Sequence, residues 1–238
     1  MKIGIFGGEG YLGSTSHESL SEHHEVSILE RNELSLDQFD AILDCSAPRD
    51  LYKKRVRETY IKQVYRRTRI ASSFEKKYIY IGSYSSSINS KSHYGRVKFI
   101  CEEIVREGGG IILRTPLVVD QENPGSRFKE LNHRIGILPF IFLPENSRLE
   151  LELTDIEAFL LTLHSVIDSE SKHRSEEILI PCRRASLNEL IKMAPSFEGK
   201  KYIELGLITT KIVESCIKHL PLRKLNNLKS LMGENYVK

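Results

Sequence analysis

The chain has 238 residues, of which 40% are hydrophobic and 28% are charged, a composition typical of an ordinary globular protein. This length suits one large domain, or one core with a small appended lobe. The formal net charge of +3 is too small to indicate a dedicated polyanion binder, although it permits ligands that carry phosphate.

The cysteines and the apolar segments bear on where the protein works. Cys45, Cys101, Cys182 and Cys216 form no CxxC pair, so neither a zinc knuckle nor a disulfide framework is indicated. No apolar stretch reaches the roughly 18 residues that a membrane span needs, and the first residues lack the apolar length of a signal peptide. Because reduced thiols are typical of the cytoplasm, we expect a cytoplasmic protein without membrane contact.

Short apolar runs alternate with longer polar segments of helical length, the pattern of βαβ units that build a parallel sheet. Strands are predicted at Lys2–Phe6, Glu25–Glu30, Ala41–Cys45, Lys77–Gly82, Gly110–Arg114 and Glu177–Ile180. Helices are predicted at Tyr11–Ser21, Leu51–Ser73, Tyr94–Glu107 and Asp155–Ile167. The fold class is therefore α/β, with a Rossmann-type doubly wound parallel sheet and a small C-terminal lobe.

Glycines follow the first predicted strand at the spacing G-x-x-G-x-x-G and lead into the first helix. Such a turn lets backbone N–H groups approach a pyrophosphate at the positive end of the helix dipole. An ordinary glycine-rich turn is the alternative, but the strand before it and the helix after it favour a dinucleotide site. The residues predicted to line this site are Gly7, Gly10, Tyr11, Leu12 and Gly13.

The second predicted strand ends in Glu30 and Arg31, twenty residues beyond Gly10. Dinucleotide-binding folds often place an acidic side chain here against the adenosine ribose hydroxyls, so Glu30 slightly favours NAD. Arg31 could instead pair with the 2′-phosphate of NADP, which leaves the choice between NAD and NADP open.

A Tyr-x-x-x-Lys motif, Tyr94 to Lys98, begins a predicted helix after a serine-rich loop that starts at Ser83. Positions i and i+4 share one face of a helix. An ammonium group near a phenol lowers the pKa of that phenol from about 10, which suits a proton donor that works near neutral pH.

Taken in this order, the glycine motif, the serine loop and the Tyr-x-x-x-Lys motif resemble the extended short-chain dehydrogenase/reductase family, which includes nucleotide-sugar epimerases, dehydratases and ketoreductases. The segments 40–47, 111–116 and 153–156 are similar to further family segments. The resemblance implies that Tyr94 is the catalytic acid/base, that Lys98 binds the nicotinamide ribose and lowers the tyrosine pKa, and that Ser83 bonds to the reacting oxygen. It also implies that the cofactor site includes Cys45, Ser46, Ala47, Pro116, Tyr94 and Lys98.

Two departures from the family pattern stand out. Ser83 and Tyr94 are only eleven positions apart, a shorter interval than is usual in the family, and Ser85 competes for the serine role or for substrate contact. The segment between Glu30 and Asp40 is too short for the family's third strand and helix, so we expect one βα element to be missing.

Composition and pattern divide the chain into a core and a lobe. We assign residues 1–116, with 154–181 returning to them, to a dinucleotide-binding core. The irregular residues 117–153, together with 182–238, are assigned to a substrate-binding lobe, in which the chain after Pro181 is predicted to form two helices with a short strand between them. In this lobe Arg127 and Arg148 could clamp a diphosphate, although simple solvent exposure would also explain them.

We assign no ligand to two groups of polar residues, the basic residues of the second predicted helix and the histidines. Eight basic residues stand against the single acid Glu58 between Lys53 and Arg69, which indicates the solvent-facing side of a helix. The eight histidines include no HExxH motif and no i, i+4 pair suited to a metal, so no metal site is predicted.

The resemblance implies an NAD(P)-dependent oxidoreductase or epimerase, most simply a 4-keto reductase or epimerase of a nucleotide-activated sugar. Neither a nucleic acid nor a membrane is expected as a partner, and a homodimer is left open. A non-catalytic NAD(P)-binding sensor or scaffold is the main alternative, because the segment from Ser83 to Tyr94 is short. A nucleic-acid binder using the basic helix face is a third reading, which no aromatic-rich RNA-binding strand supports.

Overall fold

The computed structural model describes residues 1–120, 141–144, 150–169, 175–193 and 202–205. The chain divides into two compact units, the first comprising Met1–Pro116 and Ile156–Pro181, the second Leu117–Asp155 and Cys182–Lys238. Among the described residues, no helix combines the length and the apolar character needed to cross a membrane.

The first unit is a six-stranded sheet in which every neighbouring pair of strands is parallel. The strands are β1 (Lys2–Phe6), β2 (Glu25–Leu29), β3 (Ala41–Asp44), β4 (Lys77–Ile81), β5 (Ile111–Arg114) and β9 (Glu176–Leu179). Their spatial order is β2-β1-β3-β4-β5-β9. All residues of β3 and β4 are buried, as expected for central strands with both faces covered. The predicted doubly wound sheet is confirmed, with each strand end within one residue of its predicted position.

Four helices flank this sheet. They are α1 (Tyr11–Leu20), α2 (Lys54–Ser73), α3 (His93–Glu107) and α4 (Ile156–Asp168). Helix α1 packs with α4, and α2 packs with α3. Because side chains alternate along a strand, Phe6 joins the core under α2 and α3, whereas the adjacent Ile5 points to the other face. The predicted helices are confirmed; α2 begins three residues later than predicted because residues 51–53 form a turn.

The connection between β2 and β3 contains neither a strand nor a helix. Strand β2 is consequently the edge of the sheet, and the expected absence of one βα element is confirmed. Leu36 and Phe39 in this connection are buried in the core beside α2. Two apolar side chains of this connection thus contribute to the core.

The described elements of the second unit are β6 (Leu117–Val119), β7 (Ile141–Pro144), β8 (Glu150–Asp155), β10 (Arg183–Ser186), α5 (Leu187–Lys192) and β11 (Tyr202–Leu205). These strands form a three-stranded sheet of order β10-β8-β6 and a two-stranded parallel sheet of β11 and β7. A capping box, in which Ser186 and Glu189 bond each other's backbone N–H groups, begins α5.

The sequence-based prediction for this unit was wrong in one respect. Past Pro181 the described chain begins with strand β10 rather than with a helix. The strand has only one buried side chain, Ala185, and its two arginines are exposed, so it lacks the hydrophobic alternation that identifies a strand.

Candidate active site

The predicted site residues of the first unit follow the carboxyl ends of neighbouring parallel strands. The glycine turn follows β1, residues 45–47 follow β3, the serine loop follows β4, and Pro116 follows β5. Because carboxyl ends of parallel strands meet at one edge of a sheet, these segments lie along a single edge, where α/β folds bind their ligands.

The glycine turn requires glycine for close backbone packing. Gly7 has a φ of +77°, and a Cβ atom there would lie 2.7 Å from Cα of Ser46. A Cβ atom on Gly13 would collide with the backbone carbonyl of Gly7, whereas on Gly10 it would meet only that carbonyl, at 3.3 Å. Gly7 and Gly13 therefore allow the turn to pack against β3 and α1, while Gly10 faces more open space.

The first turn of α1 suits an anion. Gly10 is the N-cap residue and offers no side-chain oxygen to the helix, and no acidic side chain occupies the first turn. The first N–H groups of a helix have no partner within the helix, and its dipole favours negative charge there. Tyr11 and Leu12 lie half-buried in this turn. These features fit the pyrophosphate of a dinucleotide.

A buried arginine links the ends of β2 and β3. Arg67 of α2 is only 1% exposed, and its Nη1 donates to Oδ2 of Asp44 at 2.9 Å and to Oγ of Ser46 at 2.7 Å. Its Nη2 donates to the backbone carbonyl of Arg31 at 2.7 Å. The guanidinium also stacks on Phe6, with 3.6 Å between its carbon and the ring centroid. Arg67 thereby ties together the ends of β1, β2 and β3, and two of its partners, Arg31 and Ser46, are predicted cofactor residues.

Arg67 is an exception to the predicted solvent-facing basic side of α2. Burial by itself would raise the pKa of the Asp44 carboxyl, but Arg67 and hydrogen bonds from Ser46 and Tyr78 hold that pKa below its usual value. Asp44 therefore stays ionised although it is fully buried. The side chains of Glu30 and Arg31, which were predicted to choose between NAD and NADP, are exposed just past β2.

Lys98 lies in the interior of the first unit. It is 3% exposed, its Nζ donates to the carbonyl of Ile81 at 2.6 Å, and the ammonium lies 4.5 Å from the ring centroid of Tyr80. The same ammonium is 6.0 Å from the ring centroid of Tyr94, one helical turn earlier. Helix α3 thus places the two residues of the motif close together, with Tyr94 half-buried and Lys98 fixed by the backbone of β4.

A buried carboxylate holds the serine loop. Glu102 is fully buried; its Oε1 accepts from the backbone N–H of Ser83 at 3.0 Å and its Oε2 from the hydroxyl of Ser86 at 2.6 Å. Arg114 neutralises the carboxylate through two donors, at 2.7 Å and 3.0 Å from Oε2. A Cβ atom on Gly82 would lie 2.6 Å from Oε1 of Glu102, so only glycine fits there without displacing the carboxylate.

The serine loop also contacts the beginning of α3. Ser92 caps this helix by accepting from the N–H of Gly95 at 2.8 Å. A Cβ atom on Gly95 would collide with the carbonyl of Ser85 and the hydroxyl of Ser90, so the loop packs directly on the first turn. The hydroxyls of Ser83 and Ser85 are 2.9 Å apart, which keeps both as candidates for the serine role.

The remaining predicted cofactor residues of the first unit follow β3 and β5. Cys45, Ser46 and Ala47 are partly buried directly after β3, and Pro116 is buried after β5. Arg127 and Arg148 lie outside the described residues.

Sequence reasoning missed Arg67 and Glu102, because charged residues in a helix are expected to face water. The spacing of these two residues along their helices nevertheless indicated that they are buried. Arg67 shares a helical face with the buried Tyr60, Val64 and Ala71, and Glu102 lies four residues after Lys98.

Comparison with known proteins supports the fold. No family model matches the sequence, and no curated protein matches it. The dTDP-4-dehydrorhamnose reductase from Bacillus anthracis, solved in complex with NADP, has a TM-score of 0.69 at 15% identity, with 87% of this chain and 86% of that chain covered. The UDP-glucuronic acid 4-epimerase from Bacillus cereus, in complex with NAD, has a TM-score of 0.67 at 14% identity and covers 87% and 86% of the two chains.

A third structure is MoeE5 in complex with UDP-glucuronic acid and NAD, with a TM-score of 0.68 at 13% identity over 87% of this chain and 85% of that chain. At these identities the likeness establishes the fold. The chain has a Rossmann-type fold, as its sequence motifs predict, and it shares this fold with the two enzymes and with MoeE5.

Proposed function

We propose that the protein is an NAD(P)-dependent reductase or epimerase of a nucleotide-activated sugar. The observation that carries this proposal is the placement of Tyr94 and Lys98 on one face of α3, whose first turn packs on the Ser83 loop. The glycine turn lies along the same edge of the sheet. The substrate class is inferred from the ligands of the similar structures, among them UDP-glucuronic acid.

Each of these residues has a distinct role in the proposal. A bound nicotinamide supplies a donor or acceptor of hydride. The Tyr94 hydroxyl gives a proton to the substrate oxygen, or takes one from it, when a carbonyl is reduced or an alcohol is oxidised. Lys98 supplies the positive charge that favours the phenolate, and Ser83 or Ser85 donates a hydrogen bond to the same substrate oxygen.

The proposed cofactor site combines the glycine turn with the ends of β2 and β3. Gly7, Gly10 and Gly13 let the backbone approach the pyrophosphate. Glu30 accepts hydrogen bonds from the ribose hydroxyls and repels a 2′-phosphate, so NAD is slightly favoured over NADP. The proposed substrate lobe comprises residues 117–153 and 182–238. Arg127 and Arg148 are candidates to hold the diphosphate of the nucleotide sugar.

The test is a search for bound ligand followed by turnover. The purified protein is analysed by mass spectrometry for a retained dinucleotide or sugar nucleotide, and NADH and NADPH are then titrated side by side. A panel of dTDP- and UDP-sugars is assayed for oxidation of the reduced cofactor and for epimerisation. If no nicotinamide nucleotide binds, the proposal is wrong.

A non-catalytic sensor or scaffold that binds NAD(P) is the second candidate. The short interval from Ser83 to Tyr94 favours it, because a trimmed loop leaves less chain to enclose a substrate. Tight dinucleotide binding without turnover of any sugar nucleotide in the panel would select this alternative.

A further inference from the structure

We propose that His24, His164 and Asp168 form a site for one divalent transition-metal ion, with Zn²⁺ as the favoured ion. One ligand atom from each residue lies within 4.8 Å of the others. Two imidazoles and a carboxylate are a typical ligand set for zinc, and three protein ligands leave a fourth position for water. The site does not depend on the proposed function.

The distance between two of the ligands fits tetrahedral coordination. Nε2 of His24 is 3.4 Å from Oδ1 of Asp168. Zinc bonds to nitrogen and oxygen of about 2.0 to 2.2 Å place neighbouring tetrahedral ligands roughly 3.3 to 3.6 Å apart. An ion can therefore fit between these two atoms without separating them.

His24 has a buried nitrogen without a hydrogen-bond partner. Its side chain is only 9% exposed, and Nε2 makes no hydrogen bond, although Asp168 lies near it. Buried polar atoms in proteins almost always have a partner, and leaving one without a partner costs about 1 to 3 kcal/mol. A metal ion between His24 and Asp168 would supply that partner.

The other two ligands stand on a well-fixed helix. His164 and Asp168 are four residues apart and therefore share one face of α4. The end of this helix is held by Lys77, whose Nζ donates to the carbonyls of Val166 at 3.1 Å and Ile167 at 2.9 Å. The hydroxyl of Ser19 in α1 lies 2.9 Å from Nε2 of His164 and fixes the orientation of the ring.

The site lies at the opposite end of the sheet from the glycine turn. His24 directly precedes β2, and Asp168 ends the helix that leads to β9, so both lie near the amino ends of parallel strands. A metal ion here would join the turn after α1 to α4 and stabilise the first unit. It would not contact a substrate bound beside Tyr94.

The experiment uses the full chain without an affinity tag, freed of metal with a chelator and then dialysed. Co²⁺, which reports its geometry by absorption, and Zn²⁺ are titrated by spectroscopy and calorimetry, and thermal unfolding is followed with and without Zn²⁺. We expect one tetrahedral Co²⁺ per chain, no thiolate-to-metal charge transfer, and a higher Tm with Zn²⁺.

Variants identify the ligands. His24→Gln and His164→Gln should each weaken Co²⁺ binding by more than about 100-fold, because loss of an outer partner of a ligand already costs 10- to 100-fold. Asp168→Asn should weaken it as well. His17→Gln changes a histidine of α1 outside the cluster and should bind as wild type does.

Circular dichroism of each chelator-treated variant shows whether the variant is folded. A variant with the wild-type spectrum has kept its fold, so weaker metal binding in that variant reports the loss of a ligand. Wild-type Co²⁺ affinity and spectrum in folded His24→Gln or His164→Gln protein would overturn the proposal. Thiolate charge transfer, or Zn²⁺ that leaves Tm unchanged, would overturn it too.

Discussion

The guanidinium of Arg67 and the carboxylate of Asp44 form an ion pair of 2.9 Å in which both side chains are almost completely buried. A buried pair of this kind is costly to break, because the remaining charge has no counter-charge and no water. Replacing both members together changes the free energy of unfolding much less, because no unpaired charge then remains buried.

We therefore expect Arg67→Met to lower the free energy of unfolding by about 3 to 5 kcal/mol. Asp44→Asn in the same chain should restore much of that loss, because the amide oxygen still accepts from Tyr78 and no charge remains buried. Urea unfolding of the four members of the double-mutant cycle measures the coupling. Arg66→Met, at the neighbouring exposed position, is the control. Additive effects of the two substitutions would contradict the expectation.

The ion pair also predicts how stability depends on pH. The pKa of Asp44 is lower in the folded protein than its usual value, so its contribution is complete above the unfolded pKa of about 3.9. That contribution is lost as the pH falls through the folded pKa. The stability difference between wild type and Asp44→Asn should therefore be constant from pH 7 to 5 and shrink below about pH 4. Urea unfolding at each pH measures it; a difference that grows in acid would contradict the sign.

Removing the side chain of Glu102 should lower the free energy of unfolding far more than removing that of its neighbour Glu103. Glu102→Ala leaves the Ser83 N–H and the Ser86 hydroxyl without their buried acceptor, whereas Arg114 keeps its ion pair with Glu177 at 2.8 Å. We expect about 1 to 3 kcal/mol of lost stability for each of these two donors and a disordered serine loop. Glu103 pairs with Arg106 at the surface, so Glu103→Ala should change stability by less than about 1 kcal/mol.

A positioning role for Glu102 has a kinetic signature in addition to its effect on stability. At a temperature where both proteins are folded, Glu102→Gln should lower turnover while cofactor affinity stays near that of wild type. Equal loss of turnover in the Glu103 variant would show that the serine loop is not what Glu102 controls.

Tyr94→Phe should lower kcat by about 10²- to 10⁴-fold and leave dinucleotide binding intact, because it removes only the ionisable hydroxyl. Lys98→Ala should lower kcat and also weaken dinucleotide binding, since the ammonium contacts the β4 backbone and lies beside the tyrosine ring. Cofactor titration and a hydride-transfer assay on the same preparations separate the two effects. Tyr65→Phe, on the exposed surface of α2, is the control. Near-wild-type turnover of Tyr94→Phe would show that a group other than the Tyr94 hydroxyl is the catalytic acid.

Thiol reactivity should differ sharply among the cysteines. Burial raises the pKa of Cys101 to about 12, and burial together with the Asp44 charge raises the pKa of Cys45 well above its usual range. Cys182 is exposed. Iodoacetamide at pH 8 should therefore alkylate Cys182 before Cys45 and Cys101, because the thiolate is the nucleophile. Peptide mass spectrometry over a time course measures each rate; rapid labelling of Cys45 in folded protein would show that the end of β3 opens.

The central strands of the sheet were predictable because they are short apolar runs bounded by glycine or charge, and burial on both faces demands such runs. Arg67 and Glu102 were harder to predict, because an isolated charged residue gives no sign that a partner such as Asp44 or Arg114 is buried with it. The cluster of His24 and His164 depends on residues 140 positions apart, which only the packing of α1 against α4 brings together.

Strand β2 is the outermost strand of the sheet, with no element of residues 30–40 to shield its far side. A dinucleotide whose adenosine lies against Glu30 would therefore have no helix or strand of residues 30–40 over its outer flank. Its residence time would be short, because fewer protein groups must separate from it before it leaves. Rapid exchange suits a reductase, which must release the oxidised cofactor in every cycle, better than an epimerase, which keeps the same molecule throughout.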